Sequence, residues 1–376
     1  MDSDLRSSLH GKDFAHATDA IQKMIWKTDK GDETSARILA IIFEYALDKI
    51  DNFKYRHAAG MTKFLSVING FVTADKPIDM CLPAFPFKSA NKAYKVLGFL
   101  PDKAEELALQ RLNTICLRIR DIYSPGARIT IISDGLVYND RDTWAYGEAL
   151  RAMAVKKGFG RINFSCLKEL LQFPLPEQTS EIVYVANATN LRRYLLNKYG
   201  KEDLDIDYEI ATQPDTLMTY CGYRRFLESD LQHIFPTGKN RSHNSFKREI
   251  KFLAKEMMIR GYVRSLLFGA VKAALLAYRT SDAEQAFAGA IKAAFPNHLR
   301  LSIHHSTGEN KVSLSLLHTE TGYTTPWHCC VALMTSGEWL SAPIGTFKDD
   351  PRFDVVYEDE RPSYFREKLS RNEDRK

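Results

Sequence analysis

The sequence predicts an α/β fold: a parallel sheet with flanking helices, joined to a helical segment and to C-terminal antiparallel strands of α+β character. Three observations carry this. "PIDMCLP" (77–83) and "RITIISDG" (128–135) are short apolar runs that read as buried strands. Between them, "PDKAEELALQRLNTICLRIRDIY" repeats its apolar positions as a helix does, and strand–loop–helix–strand is the crossover unit of a parallel sheet. Finally, "LRLSIHH" and "KVSLSLL" alternate strictly and precede two more strand-like runs, "TTPWHCCVALM" and "EWLSAPI", a pattern that reads as an antiparallel meander.

Taken in order, residues 1–75 read as an N-terminal helical segment, because "ARILAIIFEYALDKI" places apolar residues at helical spacing. Residues 76–206 read as the parallel-sheet core, whose first strand is closed by Pro83 and followed by a polar loop. The next helix opens on Asp102 with Glu105 three residues later, the pattern of a capping box. It turns Leu112, Ile115, Ile119 and Ile122 inward, and "SPGA" ends it. A helix over about 143–157 and a strand at "RINFSC" continue the unit, while "EIVYVANATNLRRYLLNKYG" is either strand then helix or one helix. Residues 207–347 read as mostly helical to about 294 and then as strands, a portion expected to complete a site. Residues 348–376 read as a charged C-terminal tail, expected to be loose from about Asp359.

Composition narrows the function classes. The 376 residues are 44% hydrophobic and 26% charged, ordinary for a globular protein of one large domain or two modest ones. Fifty-two Lys+Arg against 47 Asp+Glu leave a net charge of +5, too mild and scattered for a nucleic-acid binder but suited to an anionic small substrate. Cys81, Cys116, Cys166, Cys221, Cys329 and Cys330 include no C-x-x-C pair, so neither a zinc site nor a disulfide framework is indicated. The N-terminal "MDSDLRSSLHGKDF" is too charged for a signal peptide. "SLLFGAVKAALLAY" is broken by Lys272 and too short to span a bilayer. A cytoplasmic chain with no membrane or nucleic-acid partner is expected.

Three stretches could carry chemistry. The loop "FPFKSANKAYK" gathers Lys88, Ser89, Asn91, Lys92 and Lys95 just after a strand, where ligands collect in open α/β sheets. It suits an oxyanion cradle of neutral donors and a lysine charge, and it equally suits a solvated surface loop. Ser133, Asp134 and Gly135 end a central strand, so Asp134 either orients a substrate group or bonds its own turn. Arg300, Ser302 and His304 share one face of an alternating run, with Trp327 and His328 shortly after. Arginine clamps carboxylates and histidine carries protons near neutral pH, although a strand histidine is most often a hydrogen-bonded structural residue.

Other motifs fail. "GFGRIN" lacks the third glycine of a dinucleotide fingerprint, and no G-x-x-x-x-G-K-[ST], H-E-x-x-H or G-x-S-x-G occurs. "HTE" (318–320) mimics part of an iron facial triad, but His328 is the last histidine and no distal ligand follows, so no metal is expected.

The blocks "FPFKSANKAYKVLGFLPDKAEELALQRL", "ISDGLVYND", "MMIRGYVRSLL", "FPNHLRLSIH" and "TPWHCCVAL" resemble, in the same order, motifs of the isocyanide (isonitrile) synthase and pyoverdine/dityrosine biosynthesis family. The resemblance runs from about residue 75 to about 347. It implies a Rossmann-like domain with a smaller added portion. It also implies conversion of the amino group of an L-amino acid (tyrosine, tryptophan or valine) to an isocyano group, in secondary metabolism. Ribulose 5-phosphate is then the co-substrate that donates its C2 carbon, with no metal or organic cofactor. A yeast branch instead makes N-formyl-tyrosine, and a non-catalytic binding relative is a third alternative.

Carried onto this sequence, the resemblance gives Lys88, Ser89, Asn91 and Lys95 to the sugar phosphate, with Ser133 and Ser302 beside them. His304 or His328 becomes the proton carrier, and Asp134 holds the ammonium or a sugar hydroxyl. Arg300 or Arg260 (from "MMIRG") grips the amino-acid carboxylate or shares the phosphate, and Trp327 lines the pocket. Many fungal relatives carry a fused iron/2-oxoglutarate oxygenase domain. No such domain is expected here, so the product is expected to keep its carboxylate and to meet such an oxygenase downstream. The double cysteine after His328 departs from the small or aliphatic residues expected there.

Overall fold

The structure is a computed structural model, and it describes residues 30–47, 58–133 apart from 90, 141–166, 205–231, 242–259, 295–318 apart from 307, and 321–369. Helices α1 (Lys30–Phe43) and α2 (Ala58–Thr73) lead into strand β1 (Ile78–Pro83), then α3 (Lys103–Ile122), β2 (Ala127–Ser133), α4 (Arg141–Lys156) and β3 (Ile162–Cys166). Three helices follow: α5 (Ile206–Thr212), α6 (Pro214–Leu231) and α7 (His243–Ile259). The C-terminal part holds β4 (Leu299–Ser302), β5 (Val312–Ser313), β6 (Cys330–Leu333), β7 (Trp339–Ala342), α8 (Ile344–Lys348), β8 (Phe353–Glu358) and β9 (Arg361–Glu367).

Local chemistry explains the central unit. Asp102 accepts the amide of Ala104 and the Glu105 side chain accepts the amide of Asp102, so α3 opens on a complete capping box. Such a cap is worth about 1 kcal/mol. Ala108, Leu112, Ile115, Cys116 and Ile119 of α3 are buried against Ile78, Met80, Leu82, Ile129 and Ile131 of the strands. The opposite face of the sheet differs. In-register neighbours of parallel strands share a face, so Asp79 and Arg128 stand side by side, as do Thr130, Cys81 and Arg300. Arg128 donates to Asp79 through two bonds of 2.8 and 3.0 Å.

The sheet order is β3-β2-β1-β4-β5, and every pairing in it is parallel. The first three strands step outward in one direction, and the chain then returns to lay β4 on the other side of β1. That reversal makes the carboxyl ends of β1 and β4 a topological switch point, where open α/β sheets bind ligands.

Two expectations are corrected. Residues 299–302 and 312–313 do not join an antiparallel meander: they extend the parallel sheet, because alternation marks two unlike faces but not the neighbouring strand. Over its described residues, 348–369, the charged tail is not loose either. The β8–β9 hairpin completes a second, mixed sheet of order β7-β6-β9-β8, and Ser363, Tyr364 and Phe365 are buried. "TTPWHCCVALM" is only partly strand, since Pro326–His328 form a 3₁₀ turn before β6. Helices α5–α7 enclose their own small core, including Tyr220, Tyr223, Phe246 and Ile250. No described helix is long and apolar enough to cross a membrane.

Candidate active site

The loop after β1 and the bend after β4 meet the 3₁₀ turn at the switch point. Phe85 starts the loop with a φ of 56°, a left-handed conformation that a bulky side chain rarely adopts. Its ring packs 5.2 Å from that of Trp327. The Ser89 amide donates to the Trp327 carbonyl at 2.9 Å, which fastens the loop to the turn. Beyond it, the Asn91 amide donates to Ser89 Oγ, and Asn91 Oδ1 accepts from the Tyr94 amide. The Lys95 amide donates to the Asn91 carbonyl, closing a tight turn. The Lys95 carbonyl accepts from the Ile344 amide and from Cys330 Sγ, so the second sheet fixes this residue. Ser89, Asn91 and Lys95 are all buried.

Lys88 sits differently from the expectation that it offers charge to a phosphate. Its ammonium lies 2.8 Å from Asp102 Oδ2 and 2.5 Å from Glu105 Oε2, with no side-chain surface exposed. Burial opposes its charge, but the two carboxylates outweigh burial and hold its pKa above the usual lysine range. Burial pushes the Asp102 carboxyl up to about 7; Lys88 pulls it back and Glu105 adds to the rise. Tyr146, buried on α4, donates its hydroxyl to Glu105 Oε1 at 3.3 Å. The charge of Lys88 is thus matched inside the protein.

After β4, the His304 amide donates to Ser302 Oγ at 3.1 Å, and the His304 carbonyl accepts from Ser313 Oγ at 2.6 Å. Ser306 and Ser313 share a hydroxyl contact of 3.0 Å. Ser302 is therefore a buried support for the bend. His328 ends the 3₁₀ turn, its ring 6.2 Å from that of Trp327. Burial holds its pKa well below the usual histidine value, and the positive charges of Lys95, His304 and Lys88 add to the effect. Two imidazoles and two lysines therefore share one neighbourhood, with His328 neutral near pH 7.

Trp327, expected to line a pocket, is buried in the main core. Arg300 stands on the polar face beside Cys81, and its Nε is buried with no hydrogen-bond partner among the described residues. Ser133 is part-exposed at the end of β2. Asp134 and Arg260 lie outside the described residues. The double cysteine is inert: Cys329 and Cys330 have no exposed surface, and burial pushes both thiols above their usual range. No group of His, Cys, Asp and Glu among the described residues is arranged to hold a metal ion.

Sequence reasoning missed Asp102 and Glu105 as partners of Lys88, Tyr146 as a partner of Glu105, and Ser306 and Ser313 as supports of His304. The capping-box spacing was a signal for the first pair. The serines gave none.

A family model described as pyoverdine/dityrosine biosynthesis protein matches residues 68–356. The chain belongs to this family. Within the pyoverdine/dityrosine biosynthesis family, it is 59% identical over 331 residues to an isocyanide synthase–NRPS hybrid of Aspergillus fumigatus, covering 88% of this chain and 20% of that protein. It is 36% identical to an isocyanide synthase of the same fungus, covering 89% of this chain and 42% of the relative. It thus spans less than half the length of either. An L-tyrosine isonitrile synthase of Pseudomonas aeruginosa is 31% identical, covering 69% of this chain and 71% of that one. The crystal structure of the PvcA protein from Pseudomonas aeruginosa superposes with a TM-score of 0.69 at 26% identity, over 89% of this chain and 99% of that one.

Proposed function

We propose that this chain is an isocyanide synthase: it converts the amino group of an L-amino acid to an isocyano group, with ribulose 5-phosphate as carbon donor. The observation that carries the reading is the 59% identity to an isocyanide synthase hybrid across 88% of the chain. The switch-point cluster supplies compatible chemistry. For the amine to attack the C2 ketone it must be uncharged, and His304 or His328 takes its proton, His328 being the weaker base because burial and nearby positive charge disfavour its imidazolium. The other histidine serves as the second proton carrier as the ketone oxygen becomes a hydroxyl and then leaves as water. Lys95 and the donors of Ser89 and Asn91 hold the sugar phosphate, and Arg300 grips the amino-acid carboxylate. Lys88 plays no direct part in that grip, since its charge is already matched.

The test is incubation with ribulose 5-phosphate labelled at C2 and with tyrosine, tryptophan or valine in turn. The reading expects label in an isocyano carbon, with its infrared stretch. Label in a formyl group would assign the chain to N-formylation, and no labelled product with any amino acid would overturn the enzymatic reading.

A further inference from the structure

The Glu105 carboxylate performs three tasks with no exposed surface. Its Oε2 accepts from the Asp102 amide at 3.0 Å and from Lys88 Nζ at 2.5 Å, and its Oε1 accepts from the Tyr146 hydroxyl at 3.3 Å. Lys88 Nζ in turn donates to the Pro326 carbonyl at 3.4 Å, two residues before His328. One side of this chain of contacts is rigid, being the first turn of α3 and the body of α4. The other side is irregular backbone that carries Ser89, Asn91 and Lys95 on the loop and His328 on the 3₁₀ turn.

We propose that Glu105 and Lys88 are positioning residues: through them, helices α3 and α4 hold the Ser89–Lys95 loop and the Pro326–His328 turn in the relative placement the reaction needs. The physical reason is that a buried ion pair is a poor source of net stability but a strict source of geometry, because either partner left alone is a buried uncompensated charge. Two loops cannot drift apart without breaking it. A hydrophobic pair of the same volume would fill the space and leave the Ser89–Trp327 backbone bond joining loop to turn, but it would not fix the two to α3. Tyr146 sharpens the placement of Glu105 by occupying the oxygen that Lys88 does not use. The inference rests on the proposed function for its kinetic consequence but not for its structural one.

The test uses the full chain with Glu105→Gln and with the double change Lys88→Met/Glu105→Gln. The double variant removes the Lys88 and Glu105 charges and leaves only Asp102, whose buried carboxyl readily takes up a proton, so it keeps the proposal falsifiable where Lys88→Met alone does not fold. Hydrogen exchange and turnover are measured for each. Exchange is expected to rise in peptides covering 84–95 and 326–330 but not in those covering β1, β2 or α3. kcat is expected to fall by about tenfold to a hundredfold, the cost of a small misplacement, and the KM for ribulose 5-phosphate to rise with it, because the loosened loop carries Ser89, Asn91 and Lys95. Wild-type exchange in both loops, or a double variant with wild-type kcat, would overturn the proposal. So would a raised KM with kcat intact, because the pair would then serve sugar binding alone and not the placement of the reacting groups. Were the wild-type chain to form no isocyanide, the proposed function would fall and the exchange measurement alone would still decide this point.

Discussion

Lys88 Nζ lies 2.5 Å from Glu105 Oε2, and neither side chain has any exposed surface. Lys88→Met leaves Glu105 and Asp102 facing each other in the interior. Removing one partner of a buried pair costs about 3–5 kcal/mol, because the remaining charge stays desolvated. Denaturant unfolding should show that loss for Lys88→Met and a large recovery for Lys88→Met/Glu105→Gln. Equal losses in the two variants would mean that packing by the lysine stem, rather than charge, sets the cost.

Asp102 gives stability a pH dependence. Burial raises its carboxyl from 3.8 to about 7, with Lys88 opposing and Glu105 reinforcing the shift; the bond donated by the Ala104 amide, which Asp102 caps, also opposes it. The folded chain therefore binds this proton more tightly than the unfolded chain. Its contribution to stability is complete below about pH 4 and is lost as pH rises through about 7. Asp102→Asn keeps an N-cap side chain and removes the titration. Unfolding free energy measured from pH 5 to pH 8 should lose this downward component in the variant; identical slopes would show that Asp102 does not hold the proton.

Much of the central unit is legible in the sequence, for reasons that also explain what is not. Strands β1 and β2, helix α3 and its cap follow from hydrophobic period and capping chemistry, which are local. Strand β4 is legible as a strand, with Leu299 and Leu301 buried, yet its place beside β1 is a long-range choice that alternation does not encode. The β8–β9 hairpin reads as tail because both strands are rich in charge, which suits β8 as an edge strand but hides β9, an inner strand paired with both β6 and β8. The lysine-rich loop was legible as a candidate site. That Lys88 turns inward onto Asp102 and Glu105 was not, because the counterions of Lys88 come from a helix that folds back over it.

His328 should respond to Lys95. Its pKa is held well below 6.5 first by burial and then by the charges of Lys95, His304 and Lys88. Lys95→Met removes one of these charges and should move the His328 titration, followed by ring proton shifts, toward the ordinary histidine value. Under the proposed function the same variant raises the KM for ribulose 5-phosphate, while His328→Gln lowers kcat by about 10²–10⁴-fold. A downward or absent shift in Lys95→Met would separate the two groups electrostatically.

Gly60 links the helical layer to His304. A Cβ added at Gly60 would lie 2.0 Å from the Gly308 carbonyl oxygen and 2.7 Å from the Phe64 ring, so α2 can seat on this turn only without a side chain there. The Gly308 amide donates to Ser306 Oγ, Ser306 meets Ser313, and Ser313 donates to the His304 carbonyl. Nearby, Lys63 donates to Asn310 at 2.6 Å. Gly60→Ala must push either α2 or the turn, at the usual overpacking cost of about 1–3 kcal/mol. Gly70, on the same helix, has open space around it. Gly70→Ala should therefore be neutral or stabilising by up to about 1 kcal/mol, since alanine is the better helix former. Thermal unfolding of the two variants should move in opposite directions, and only Gly60→Ala should also lower turnover, because only that change displaces the backbone that carries His304.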